Sequence, residues 1–152
     1  MRGLAAGLAG GLAWIAGMIL FFAPAQILLT DPAIQSSKML DAFTAEPAPR
    51  IGEAPWLLPV GVLVIGALWG WIYVWISSGW PAMWWKRGLR FGVVSWVLMA
   101  PWFEFYLPWN VLREPPSLVA LELACWAGVM LAVGLSIAGV DAALRRVWRV
   151  ST

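Results

Sequence analysis

Glu104 and Glu122 each interrupt a long apolar run, and they are the two side chains in the sequence best placed to do chemistry. A carboxylate at the centre of a membrane helix costs ~2.5–3.5 kcal/mol on insertion scales. An acid retained at that cost points to a cation or proton site, a polar substrate, or a hydrogen-bonded cluster that pins helix ends together. Depth tempers the argument. Glu104 lies near the end of its run and Glu122 about one and a half helical turns inside the next. Both therefore fall in the same outer third of the membrane. Gln26, Tyr106, Asn110 and Arg113 occur at similar depth or just beyond it, with Glu114 beside them. Together with the two acids they make a candidate polar or ion site. A salt bridge from Arg113 would turn the same residues into a structural cluster, and a partner protein or lipid head group could also meet the acids.

Other chemistry is scarce. The chain has no histidine, which removes the commonest general acid/base and the imidazole ligands of haem, zinc and copper sites. Its single cysteine, Cys125, sits inside an apolar run and reads as a small packing residue. Phosphate-binding glycine loops, nucleophile elbows and HExxH motifs do not occur. No catalytic residue, metal-ligand set or cofactor is expected. An enzyme acting on lipid head groups through Glu104 and Glu122 would still need a nucleophile or metal set that the sequence does not offer.

Helices must carry these residues. Four apolar runs cover about 4–29, 56–78, 84–105 and 117–140, joined by short loops apart from an outer loop at 30–55. About 20 apolar residues span the ~30 Å hydrocarbon layer, and each run is long enough. Of the 152 residues, 62% are hydrophobic and only 12% charged, half the roughly 25% charge of a soluble domain. The expectation is an all-α integral membrane protein: one domain over 1–152, folded as a four-transmembrane-helix bundle. The first run ends in Ala23-Pro24-Ala25-Gln26, which loosely resembles a signal-peptide cleavage site. Its apolar part exceeds the 7–15 residues typical of a signal core, so it reads as a retained span. Cleavage would leave three helices.

Basic residues set the orientation. With the N-terminus inside, the inner side carries Arg2, Lys86, Arg87, Arg90, Arg145, Arg146 and Arg149, against Lys38, Arg50 and Arg113 outside. Seven against three follows the positive-inside rule and puts both termini in the cytoplasm. The usage looks bacterial, which places the chain in the inner (plasma) membrane. Trp56 and Trp109 fall at the outer boundary, and Trp80, Trp84, Trp85 and Trp148 at the inner one, as indole rings prefer. A tryptophan-lined quinone or pigment pocket is the costlier explanation of the same residues. The formal charge of +2 does not point to nucleic acid, because the basic residues stand at helix ends, facing lipid head groups. There they anchor the chain and meet anionic lipids without specificity. Asp141 and Arg145, four apart, form an ordinary helical pair.

Packing signals are plentiful. The fourth run has Ala120, Ala124, Gly128, Ala132 and Ser136 at every fourth position, and the third has Gly88 and Gly92 in line with Trp96, Ala100 and Glu104. Small residues let helix backbones approach closely in lipid, where the hydrophobic drive between helices is weak. Gly66 and Gly70 form a lesser pair. Ala6, Gly10 and Trp14 match Gly88, Gly92 and Trp96 in spacing, and Pro24 and Pro101 follow towards the outer ends, a hint of two duplicated hairpins. The prolines should kink their helices. A short helix is expected near 33–43. Glu122 lies nearly opposite the small-residue stripe of its helix, so one of the two faces needs a cover from outside. The sequence therefore suggests a non-enzymatic multi-pass protein that packs as a homo-oligomer or as a small subunit of a larger membrane complex. The alternative is a small oligomeric transporter or channel with an outer-leaflet acidic site. The partners expected are the lipid bilayer and itself or another membrane protein.

Overall fold

A computed structural model of the chain describes residues 1–44, 50–80 and 83–150 and is all-helical. Glu46, the side chains of Phe43, Arg50, Trp148 and Arg149, and residues 81–82 lie outside what is described. Three helices are long and apolar enough to cross a membrane: Arg2–Leu29, Leu57–Gly79 and Pro116–Val147. We number the helices α1 (Arg2–Leu29), α2 (Ser37–Thr44), α3 (Leu57–Ile76), α4 (Trp84–Glu104) and α5 (Pro116–Val150). α4, the remaining expected span, has 21 residues and therefore a length of about 30 Å. It is not among the three, because Lys86, Arg87, Arg90 and Glu104 lie within it and lower its mean hydropathy.

The sequence explains the element boundaries. Pro24 lacks an N–H and its ring crowds the preceding turn; just before it, Met18–Phe22 widens into a π-helical turn and α1 continues to Leu29. α4 carries Pro101 and runs on into a second π-helical stretch, Phe105–Val111, which contains Pro108. Such turns are the usual way a helix accommodates an interrupted hydrogen-bond ladder. α5 starts at Pro116, where a missing N–H costs nothing. It outlasts its expected apolar run by ten residues and ends at Val150, because Asp141 and Arg145 pair along it and no helix-breaking residue intervenes. The short helix near 33–43 is found as α2, Ser37–Thr44. Ser36 caps it: its Oγ accepts the Met39 N–H at 3.1 Å.

The four long helices run antiparallel to their packing neighbours, in the spatial order α3–α1–α5–α4. Two glycine seams bring them together. Gly3, Gly7 and Gly11 of α1 face Gly66 and Gly70 of α3 so closely that a Cβ on Gly66 would stand 2.9 Å from the Gly11 Cα. On the other side Gly88 and Gly92 meet α5, and a Cβ on Gly88 would stand 2.8 Å from the Leu135 Cα. Gly134 is the reciprocal residue of that seam. In lipid this proximity gains dispersion contacts along the backbone, which replace the hydrophobic drive of a soluble core.

The small residues expected to pack divide by depth. Ser136 Oγ donates to the Ala9 carbonyl at 3.1 Å, and Gly128 lies against the Phe21 ring, so this part of the stripe faces α1. Ala132 is half-buried, while Ala120 and Ala124 are exposed. Val133 and Ile137, which meet Gly10 of α1, and Met130, whose carbonyl lies against Gly92 of α4, form the buried centre.

Helices α3 and α4 do not close the ring. At the end of the bundle that carries Arg2 and Arg145, called inner from here on as a label only, Tyr73 meets Phe91 edge-on, with centroids 5.3 Å apart. Towards the opposite end, called outer in the same sense, they stand apart and leave an apolar cleft. One cavity in it, about 420 Å3, is bounded by Gly61, Ile65, Trp69, Met99 and Trp126. A neighbouring one of about 480 Å3 shares Trp69 and Met99 and extends to Tyr106.

Candidate functional site

Three carboxyl groups converge at the outer end of the bundle. Glu104 is the last residue of α4 and Glu122 lies near the start of α5. Glu114 arrives from the connection between them. The π-helical stretch ends at Val111, and Arg113 adopts φ 61°, a left-handed conformation that is uncommon outside glycine. That residue reverses the chain, so Arg113 points out while Glu114 turns in, its N–H donating to the Pro108 carbonyl at 2.9 Å. Glu104 and Glu114 are buried and Glu122 is half-buried.

One oxygen of each of the three carboxyls lies within 4.8 Å of the others. Neutral donors hold the outer members. The Trp126 indole N–H donates to Glu104 Oε1 at 2.7 Å. The Gln35 amide donates to Glu114 Oε1 at 2.6 Å and to the Leu29 carbonyl at 3.0 Å, which fastens the outer loop over the cluster. Oε2 of Glu104 and Oε2 of Glu114 are buried and meet no protein N–H donor. Glu122 completes the set, with an oxygen within 4.8 Å of one on each of the other two. Among the described residues no Lys or Arg pairs with any of the three.

Charge balance decides what such a set can do. Two unit charges 4.8 Å apart repel by about 3.5 kcal/mol at an effective dielectric of 20, and three ionised groups contain three such pairs. The set must either share protons between its oxygens or hold a cation. The second option fits oxygen ligands for a hard ion such as Ca2+, which binds carboxylates in flexible geometry. Either way the Trp126 and Gln35 contacts use oxygens already engaged with neutral donors.

The candidate residues from the sequence distribute unevenly. Glu104 and Glu122 come together, while Gln26, Tyr106, Asn110 and Arg113 are exposed on the surrounding surface. Asn110 and Arg113 line a shallow outer cavity with Glu114, on the solvent side of the cluster. Glu114, placed beside the candidates by the sequence, supplies the third acid, and two contributors were not among the candidates: Trp126 as the donor to Glu104, and Gln35. Glu114 carried a usable signal, an acid directly before the double proline that starts α5. Gln35 carried none, since its partner is 79 positions away.

A second polar centre occupies the opposite end. Asp141 is buried, lies in an ion pair with Arg2 whose Nε stands 2.7 Å from Oδ1, and accepts a hydrogen bond from Arg145 Nε at 2.8 Å. It ties the first residue of α1 to α5. Comparison with known protein families, curated proteins and solved structures finds no match for this chain.

Proposed function

We propose that the chain is a four-span, non-enzymatic protein of the plasma (inner) membrane, with both termini cytoplasmic. In this reading it packs with copies of itself or serves as a small subunit of a larger membrane complex. The membrane assignment rests on the three apolar helices. Support for α4 as the fourth span comes from its length and its antiparallel packing along α5. Orientation rests on the gathering of Arg2, Arg87, Arg145 and Arg146 at one end.

The observation that carries the assembly is the open cleft between α3 and α4. Its wall presents Gly61, where a Cβ would meet nothing within 4 Å, next to Trp69 and Trp126. A small residue amid aromatic side chains on an unclosed face suits close approach of another helix. Gly61→Leu fills the cleft without touching the chain's own packing. Native mass spectrometry of protein extracted in mild detergent is the test. Wild type should appear as an oligomer or with a companion protein, and Gly61→Leu as the monomer with its melting temperature unchanged. A wild type that is monomeric and alone removes the proposal.

A second reading, a small oligomeric transporter or channel, is favoured by the three converging carboxyls. Trp126 belongs both to the cleft wall and to the Glu104 hydrogen bond. A partner in the cleft would then stand one side chain from the acids, where assembly could complete a path.

A further inference from the structure

At the inner end a cavity of about 650 Å3 opens between α3, α4 and α5. Tyr73 stands on its α3 side, Trp84 and Arg87 on its α4 side, and Asp141, Arg145 and Arg146 on its α5 side. Among the described residues of this lining Asp141 is the one acid, and it is engaged by Arg2 as well as by Arg145. Those residues bring three guanidiniums and one carboxylate, a formal charge of +2 before Arg2 is counted. Positive charge is thus in excess inside a concavity, which is where anions are drawn.

Position narrows the anion. Among the apolar stretches, Arg2 begins one, Gly79 ends the second and Val147 ends the third, so the cavity lies at the depth where a bilayer's head groups begin. Its rim carries Met83, Trp84 and Trp85, all exposed. These side chains give a surface for acyl chains directly below a polar site, and indoles favour that level. Guanidinium groups match phosphate oxygens through paired hydrogen bonds.

We propose that this cavity is a binding site for an anionic phospholipid, with the phosphate diester held by Arg87 and Arg146 and the acyl chains passing over Met83 and Trp85. Arg145 keeps Asp141 in place and adds to the field. This goes beyond the general attraction of a basic surface for anionic lipid, because one cavity, not the sum of charges, does the selecting. The site rests on the membrane reading above but not on orientation or assembly.

The experiment places full-length protein in nanodiscs of phosphatidylcholine containing a minority of phosphatidylglycerol, and native mass spectrometry reads the lipid retained. Wild type should enrich phosphatidylglycerol over its share of the disc. A hydrogen bond to a charged group contributes at least ~1.4 kcal/mol, a ten-fold change. Arg146→Gln, at an exposed position, should lower the enrichment about ten-fold, and the Arg87→Gln/Arg146→Gln pair by more. Arg90→Gln is the control. Arg90 lies over the Trp80 ring at 5.7 Å and does not line the cavity, so it removes the same charge and should leave the enrichment nearly intact. Equal losses for Arg90→Gln and Arg146→Gln would reduce the effect to surface charge and overturn the site. Absence of enrichment in wild type would do the same. Stabilisation by inorganic phosphate in pure phosphatidylcholine discs, without lipid selectivity, would reassign the cavity to a free anion. Both leaflets of a disc have one composition, so a wrong orientation cannot cause failure, and a monomeric protein can still pass.

Discussion

At the inner end of the bundle Asp141, 1% exposed, is held between Arg2 and Arg145, whereas at the outer end Glu104 and Glu114, 1% and 2% exposed, meet Glu122 instead of a cation. The burial is the same and the electrostatic solution is different. The inner acid is neutralised by guanidiniums that themselves reach solvent, so the pair loses less hydration than a fully buried one. The outer acids are oriented by neutral N–H donors, and their charge is left to protons or to an ion from outside. The inner end is therefore built to stay in one state. The outer end has no such built-in neutralisation, so its charge depends on protons or on an added cation.

Mutations that interchange these solutions should behave unequally. The largest effect is expected from Asp141→Asn, which keeps the shape but strands Arg2 and Arg145. Breaking a buried pair costs about 3–5 kcal/mol, and the partial exposure of both arginines lowers that to about 2–4. A thermal melt in detergent should drop sharply; an unchanged melt would show that the inner end does not depend on this pair.

Glu104 gives the intermediate effect and a contrast within one position. Glu104→Leu leaves the Trp126 indole N–H buried without an acceptor, for a loss of about 1–3 kcal/mol. Glu104→Gln retains a carbonyl acceptor and removes one potential charge, so its melt should stay near wild type. If both variants fall equally, the charge of Glu104, and not its hydrogen bond, stabilises the cluster.

The smallest effect belongs to Glu122→Gln. Removing one of three crowded acids breaks no ion pair, so the melt without added metal should not fall, in contrast to Asp141→Asn. Titration with Ca2+ then separates the two states of the outer site. If it holds a cation, Ca2+ raises the melting temperature of wild type and raises that of Glu122→Gln much less. Identical response of both proteins would leave proton sharing as the state of the cluster.

Much of the architecture was legible from composition. Run lengths located the long helices to within a few residues at most ends, and the exception at 141–150 arises because a helix need not stop where its apolar face does. The Gly88–Gly92 spacing pointed to a close seam on α4. The matching Gly134 went unnoticed because it lies off the every-fourth-residue pattern from Ala120 to Ser136, which turns partly towards α1. The acidic site was half legible. Two acids inside apolar runs stand out in any sequence, and Glu114 before the double proline falls at their depth, but Gln35 in the outer loop looks like every other loop residue.

The sequence by itself determined the long helices, three of them apolar and long enough to cross a membrane. Twenty-residue apolar runs admit few other fates, and helix is the local solution to backbone hydrogen bonding in lipid. Only the tertiary structure decided which side chains meet. The left-handed turn at Arg113 sends Glu114 inward and Arg113 outward; Gln35 reaches Glu114 across the outer loop; and the glycine seams fix the order α3–α1–α5–α4 that leaves one cleft open. These are contacts between residues far apart in the chain, set by backbone direction and helix approach, and local residue patterns carry no record of them.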